Sequence, residues 1–212
     1  MLIVGAKGFA KELLEVIIRN NSEEEIVFYD DISNDLPELL FNKFRIIRNI
    51  EEASNYFQTQ NPSFCLGVGN PNIRKYMEEK LSNIGGILKS TISIKADIGN
   101  FEIDISDGAN ILDGAKISNS VKIGKAALIY YNSIITHDCN IGKFVEISPN
   151  ATILGRATIG DFVHVGASAT ILPDITIGNN VTIGAGAVVT QSIPDNAIVV
   201  GVPAKIIKYK NG

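Results

Sequence analysis

Two rhythms of apolar and polar residues run along the chain. Through the first 90 residues, short apolar runs alternate with stretches of helical spacing. Leu2-Ile3-Val4 ends at Gly5, Ile26-Val27-Phe28-Tyr29 stops at Asp30-Asp31, and Phe64-Cys65-Leu66-Gly67-Val68 leads into Gly69-Asn70-Pro71. Each run predicts a strand. Leu13, Leu14, Ile17 and Ile18 recur at helical spacing between Ala10 and Ile18, and helix signals return from Asn72 to Leu81. A further strand near Phe44–Ile47 and a helix from Glu51 to Phe57 fill the remaining stretch. Strands alternating with helices predict βαβ units and a parallel sheet.

Past residue 91 the helical spacing disappears and a period of six replaces it. Every sixth residue from Ile105 to Val189 is Ile or Val. Two residues before each stands a mostly small residue, such as Ala109, Ala115, Ala127, Ser133, Cys139, Ala151, Ala157, Ala169 and Ala187. Alternation of inward and outward positions is the mark of a strand, and β-branched residues suit it. A large inward residue every six, with a small one two before it, describes short strands joined by tight turns. Gly124, Gly142, Gly160 and Gly178 add a longer period of 18. Three strands therefore close one coil, and the glycines mark one corner of a triangular parallel β-helix. Such periodicity is the signature of a repeat architecture. The predicted domains are 1–90, an α/β Rossmann-like unit, and 91–212, the β-helix with a C-terminal cap.

Composition narrows the partners. Lys and Arg number 19 against 23 Asp and Glu, a net charge of −4, which demotes nucleic acid. No uncharged apolar run reaches the ~18 residues of a membrane span. The chain opens directly on a strand pattern with no basic leader, so a cytoplasmic location is expected. Cys65 and Cys139 are too few for a disulfide framework and fall at strand or inward positions, so both read as core.

There are two histidines. His137, in Thr136-His137-Asp138-Cys139, falls two residues after the inward Ile135, so it is expected at an exposed corner. Imidazole is the natural general base near neutral pH, and Asp138 is placed to orient it. A solvated turn histidine would give the same pattern. His164 lies 27 residues on, one and a half coils, so the two histidines should face different sides; no metal site is expected. Gly5-Ala6-Lys7-Gly8-Phe9-Ala10 has the form of a strand-to-helix turn that binds phosphate at a helix N-terminus, although it lacks a full G-x-G-x-x-G. Asp30, 25 residues after Gly5, is where an acid would meet ribose hydroxyls. Tight strand–helix packing is the competing reason for Gly5 and Gly8. Gly166-Ala167 and Gly184-Ala185 are 18 apart, hence neighbours in consecutive coils. Corner packing would also explain them.

The repeat, together with the ending Val200-Gly201-Val202-Pro203-Ala204-Lys205, resembles the hexapeptide-repeat acyltransferases. The resemblance is strongest to bacterial nucleotide-sugar N-acetyltransferases of the bacillosamine type, and sialic acid O-acetyltransferase-like proteins share the two-domain layout. It implies a left-handed β-helix, where the general rule for parallel crossovers would favour the right hand. It implies a homotrimer in cell-surface polysaccharide biosynthesis, acetyl-CoA as co-substrate and a nucleotide-sugar acceptor. His137-Asp138-Cys139-Asn140-Ile141-Gly142 matches the family's catalytic turn. The family usually has a second histidine nine residues after the first, contacting the acetyl group; this chain has Glu146, with His164 one coil further as a substitute. Ala167 and Ala185 match the groove for the pantetheine arm, and Lys205 is placed for a CoA phosphate. Lys7, Gly8, Phe9, Asp30, Asp31 and Gly69 form the implied nucleotide-sugar set, with Phe9 where the family often has His. Transfer to nitrogen or to oxygen is left open. A non-catalytic sugar-nucleotide scaffold remains a rival, and so does an oxidoreductase that would use only the first unit.

Overall fold

The structure is a computed structural model, and it describes residues 1–20 and 25–210. The chain divides into two compact units, Met1–Thr91 and the remainder from Ile92. In the first, β1 (Leu2–Val4), α1 (Gly8–Arg19), β2 (Val27–Tyr29), β3 (Leu39–Leu40), β4 (Phe44–Ile47), α2 (Ile50–Thr59), β5 (Ser63–Leu66), α3 (Pro71–Ser82) and β6 (Ile87–Leu88) follow in order. The sheet runs β3-β4-β2-β1-β5-β6. All pairs are parallel except β3 with β4. β3 and β6 are the elements that the apolar pattern did not predict, because two-residue strands carry too little periodicity.

β1, β2 and most of β5 are buried on both faces, as a sheet covered by helices demands. α1 buries Ala10, Leu13, Leu14, Val16 and Ile17. Ile18 is 45% exposed, so the stripe turns through Val16 instead. α2 starts where the Asn49 side chain accepts the Glu52 N–H, and α3 where Asn70 accepts those of Asn72 and Ile73. Both are N-caps. β5 ends at Leu66, and the next residue must lack a side chain. A Cβ on Gly67 would lie 2.5 Å from the Val4 carbonyl oxygen and 2.8 Å from Ala10 Cβ.

The second unit is a left-handed parallel β-helix of three faces. The first face stacks strands that include Leu128–Ile129, Glu146–Ile147, His164–Val165 and Thr182–Ile183. The second includes Lys116–Ile117, Ile134–Ile135, Thr152–Ile153 and Thr170–Ile171, and the third includes Lys122–Ile123, Asn140–Ile141, Thr158–Ile159 and Thr176–Ile177. Partners in adjacent coils are 18 residues apart, as in Glu146 with His164 and Ile135 with Ile153. The spacing is 19 where Asp97 pairs with Lys116 and 16 where Thr182 pairs with Ile198. One extra residue therefore sits between Ile98 and Ile105, in a coil lying before the regular pattern begins.

The inward Ile and Val residues and their small partners form one continuous core from Ala109 to Val199. The third residue of each regular corner has a left-handed φ, whether it is Asp138 (61°), Asn150 (60°) or Phe162 (59°). The corner glycines have another cause. A Cβ on Gly124 would lie 2.6 Å from the Gly142 carbonyl carbon, and one on Gly142 the same distance from that of Gly160. At this corner side-chain carbonyls also bridge coils: Asp161 accepts the Lys143 N–H, Asn179 that of Asp161, and Asp195 that of Asn179. After the last coil, Ala197–Val200 continues the first face and pairs antiparallel with Lys205–Tyr209.

Ile153 is fully buried in the stack. Ile153→Ala is expected to cost about 2–5 kcal/mol, whereas Lys143→Ala on the exposed corner should stay within about 0.5 kcal/mol. Denaturant melts of the two variants beside the parent check the register.

Candidate active site

In the first unit the ends of β1, β2 and β5 meet at the point where the strand order reverses, the usual ligand position in an open α/β sheet. A cavity of about 360 Å³ opens there. Lys7, Gly8, Phe9, Asp30, Asp31 and Gly69 all line it, so the structure brings the whole implied nucleotide-sugar set together. The first turn of α1 has no side-chain cap and no acidic residue. Backbone N–H groups and the helix dipole there suit a phosphate.

Asp30 and Lys7 already have partners within the chain. Asp30 lines the cavity, but its carboxylate accepts the N–H groups of Ala6, Ile32 and Ser33 and the Ser33 hydroxyl. Four donors fill the roughly four acceptor sites of a carboxylate. Asp30 thus ties the loop after β1 to the loop after β2, and ribose hydroxyls would have to compete with those bonds. The Lys7 ammonium pairs with Asp35 at 2.6 Å, both groups being exposed. Gly67, Asn70, Tyr29 and Ser33 also line the cavity without having been singled out in the sequence. The clash around Gly67 arises between segments far apart in the chain, so no local pattern announced it. The fully buried Arg74 donates to the Gly69 carbonyl and holds that wall.

Beside the cavity, Asp31 accepts the Tyr29 hydroxyl at 2.8 Å and pairs with Lys80. Burial pushes the Asp31 carboxyl up, but hydrogen bonds from Lys80 and Tyr29 outweigh it and hold the group below the usual aspartate range. Burial, with Asp31 alongside, takes the Tyr29 phenol up to about 12.

In the second unit His137 and Asp138 sit at the corner between the second and third faces, about half exposed as predicted. His137 Nδ1 lies 2.7 Å from Asp138 Oδ2. A carboxylate only accepts, so Nδ1 carries the proton and Nε2 keeps a lone pair for an incoming one. Gly155, one coil on, makes room for the ring: a Cβ there would lie 2.6 Å from His137 Cε1 and 2.8 Å from Nε2. Below the ring, a cavity of about 470 Å³ is lined by Asp97, Lys116, Ser118, Asn119, Ile134, Thr136 and His137 among others. Both thiols are buried. Burial raises Cys65 to about 12 and also pushes up Cys139, so neither is a ready nucleophile.

The remaining predicted residues lie elsewhere on the prism. Glu146 and His164 are paired neighbours on the first face, opposite the His137 corner. His164 Nε2 is 3.1 Å from the Ser148 hydroxyl and 3.7 Å from Glu146 Oε1. Gly166–Ala167 and Gly184–Ala185 stack at the corner between the first and second faces, and Lys205 opens the exposed last strand. One chain therefore does not unite the His137 pair with the expected acetyl-CoA residues. Among the described residues no three His, Cys, Asp or Glu side chains are grouped to hold a metal ion, and no helix is long and apolar enough to cross a membrane.

Residues 1–81 match the PglD N-terminal domain, and 138–173 and 156–191 match the bacterial transferase hexapeptide of six repeats. The resemblance to hexapeptide-repeat sugar acetyltransferases holds. The acetyltransferase domain of PglB from Neisseria gonorrhoeae FA1090 superposes with a TM-score of 0.88 at 29% identity, over 97% of this chain and 98% of that one. It has also been solved in complex with acetyl coenzyme A. WeeI from Acinetobacter baumannii AYE gives 0.84 at 28% identity, again over 97% and 98%. PerB from Caulobacter crescentus, solved with CoA and GDP-perosamine, shares the fold, with a TM-score of 0.87 at 24% identity over 98% and 96%. No curated protein matches the chain by sequence.

Two outcomes are expected from this geometry. Gly155→Ala should displace the His137 ring while the coil stays folded, seen as a shift of the imidazole NMR signals at little change in melting temperature. The lowered Asp31 affinity for protons implies stability that is fully present above the ordinary aspartate pKa of about 4 and lost as pH falls through the lower folded value. Asp31→Asn should therefore flatten the acid side of a stability–pH curve.

Proposed function

We propose that the protein is an acetyl-CoA-dependent acetyltransferase that acylates the amine of a nucleotide-activated amino-sugar, working as a homotrimer with sites shared between subunits. The observation that carries this reading is the His137–Asp138 pair, 2.7 Å apart at an exposed corner beside an open cavity. In the proposed reaction the sugar amine attacks the thioester carbonyl carbon and His137 Nε2 takes the amine proton as the C–N bond forms. Asp138 stabilises the imidazolium. The tetrahedral oxyanion then collapses, the C–S bond breaks, and CoA leaves as its thiol with the proton returned by His137. No covalent enzyme intermediate is needed. The nucleotide occupies the cavity of the first unit, its phosphates at the start of α1.

The triangular cross-section supports the trimer. His137 projects from a corner, while Glu146 and His164 lie on the opposite face and Ala167 and Ala185 at another corner. A site using both groups must draw them from two chains, and closed threefold packing satisfies every interface. Glu146, if ionised, cannot donate to the acetyl oxygen. That contact falls to His164 or to backbone N–H groups, with Glu146 orienting the acceptor. In this reading the enzyme acts in the cytoplasm and supplies acetylated sugars for cell-surface glycans. Bound acetyl-CoA and CoA with GDP-perosamine in the PglB and PerB structures support the co-substrate and the acceptor class.

Incubation with acetyl-CoA and a panel of nucleotide amino-sugars should give an N-acetylated product by mass spectrometry; acetylation of a hydroxyl instead would assign the O-transferase, and no transfer to any sugar would favour a scaffold. His137→Ala should lower kcat by about 10²–10⁴-fold with the fold intact, and activity within twofold of the parent would remove His137 from the mechanism. Mixed trimers of inactive His137→Ala and Glu146→Ala chains should regain part of the activity. A fully active monomer in sedimentation would defeat the shared site.

A further inference from the structure

The corner that carries His137 holds a column of residues at 18-residue intervals: Ser120, Asp138, Arg156 and Asp174. Their φ values lie between 58° and 62°, so they occupy one position in successive coils. Backbone bonds tie the column together: Arg156 donates its N–H to the His137 carbonyl and Asp174 to that of Gly155, both at 3.0 Å. Arg156 thus stands between two carboxylates, one coil from each. It has taken Asp174, with Nε to Oδ1 at 2.6 Å and Nη2 to Oδ2 at 2.8 Å. Asp138 is left to His137.

A lone exposed ion pair adds little stability. Here its direction matters more than its strength. An arginine fork turned toward Asp138 would compete for the oxygen that receives Nδ1–H and free the ring to rotate. It would also set a cation beside an imidazole that must gain a proton.

We infer that Asp174 is a positioning residue, which holds Arg156 away from Asp138 and so preserves the His137–Asp138 pair. Its catalytic consequence rests on the proposed role of His137 as base. The proton affinities agree with three groups sharing one field. Asp174 holds the Arg156 guanidinium above its ordinary value, with a smaller push from Asp138. Arg156 holds Asp174 below the usual carboxylate range, with a smaller pull from His137. The other titratable groups around the ring, among the described residues, are the buried Cys139, whose thiol donates to the His137 and Leu154 carbonyls, and the Asp97–Lys116 pair across the cavity.

Three variants test the inference: Asp174→Asn, Arg156→Asn and the double variant, asparagine being chosen because it tolerates a left-handed φ. The readouts are NMR titration of the His137 ring without substrate, the pH–rate profile of acetyl transfer, and melting temperature. Asp174→Asn should move the ring titration and the acid limb of the profile to lower pH and reduce kcat roughly three- to tenfold, with KM for acetyl-CoA little changed. The double variant should return titration and rate to within about twofold of the parent, because no cation remains to recruit. An unmoved titration in Asp174→Asn overturns the inference. So does failure of the double variant to recover, which would mean that Asp174 acts by its own charge or by corner packing. If His137→Ala proves active, the assignment of the base fails on that result, while the ring titration still decides the column.

Discussion

The space inside a triangular coil governs the second unit. Each strand offers the interior one large side chain and one small one two residues before it, and the facing strands leave no room for a different order. The core from Ala109 to Val199 is built almost entirely this way. Adjacent coils then approach at strand spacing, and a corner residue either avoids a side chain, as at Gly142, or turns its side chain outward in a left-handed conformation, as at Asp138 and Arg156. The same repeat that packs the core therefore lines up the exposed corners at fixed intervals. Any chemistry there is displayed in columns, with one residue per coil.

That geometry explains how a half-exposed histidine can hold a defined orientation. Its ring lies over Gly155, its Nδ1 meets Asp138, and the cation one coil away is occupied by Asp174. Each restraint comes from a different coil or from the next residue, and none needs burial. In the first unit, order near the cavity arises from charge saturation. Asp30 is filled by four donors from two loops, and Asp31, Tyr29 and Lys80 share a partly buried cluster. Both units hold polar groups in place by giving each a defined partner.

The departure at Glu146 fits this view. On the first face it is paired in register with His164, which also reaches Ser148. The column still offers an imidazole to whatever lies against that face, displaced by one coil from the position that the resemblance implied.

The chain's own pattern determined the two-part organisation, the parallel sheet and the coil register, because burial imposes periods of 3.6, 2, 6 and 18 that survive in the order of residues. It also determined that His137 would be exposed, since a turn slot in a repeat has a known direction. Only the tertiary structure decided which groups have partners to spare. The Ala6 N–H that completes the saturation of Asp30, the close approach at Gly67 and the choice of Asp174 by Arg156 all depend on distances between segments well separated in sequence. Hydrogen bonds and van der Waals contacts act over a few ångströms, so no local pattern records them. The short strands β3 and β6 belong to the same class, formed by pairing with longer neighbours and not by any preference of their own residues.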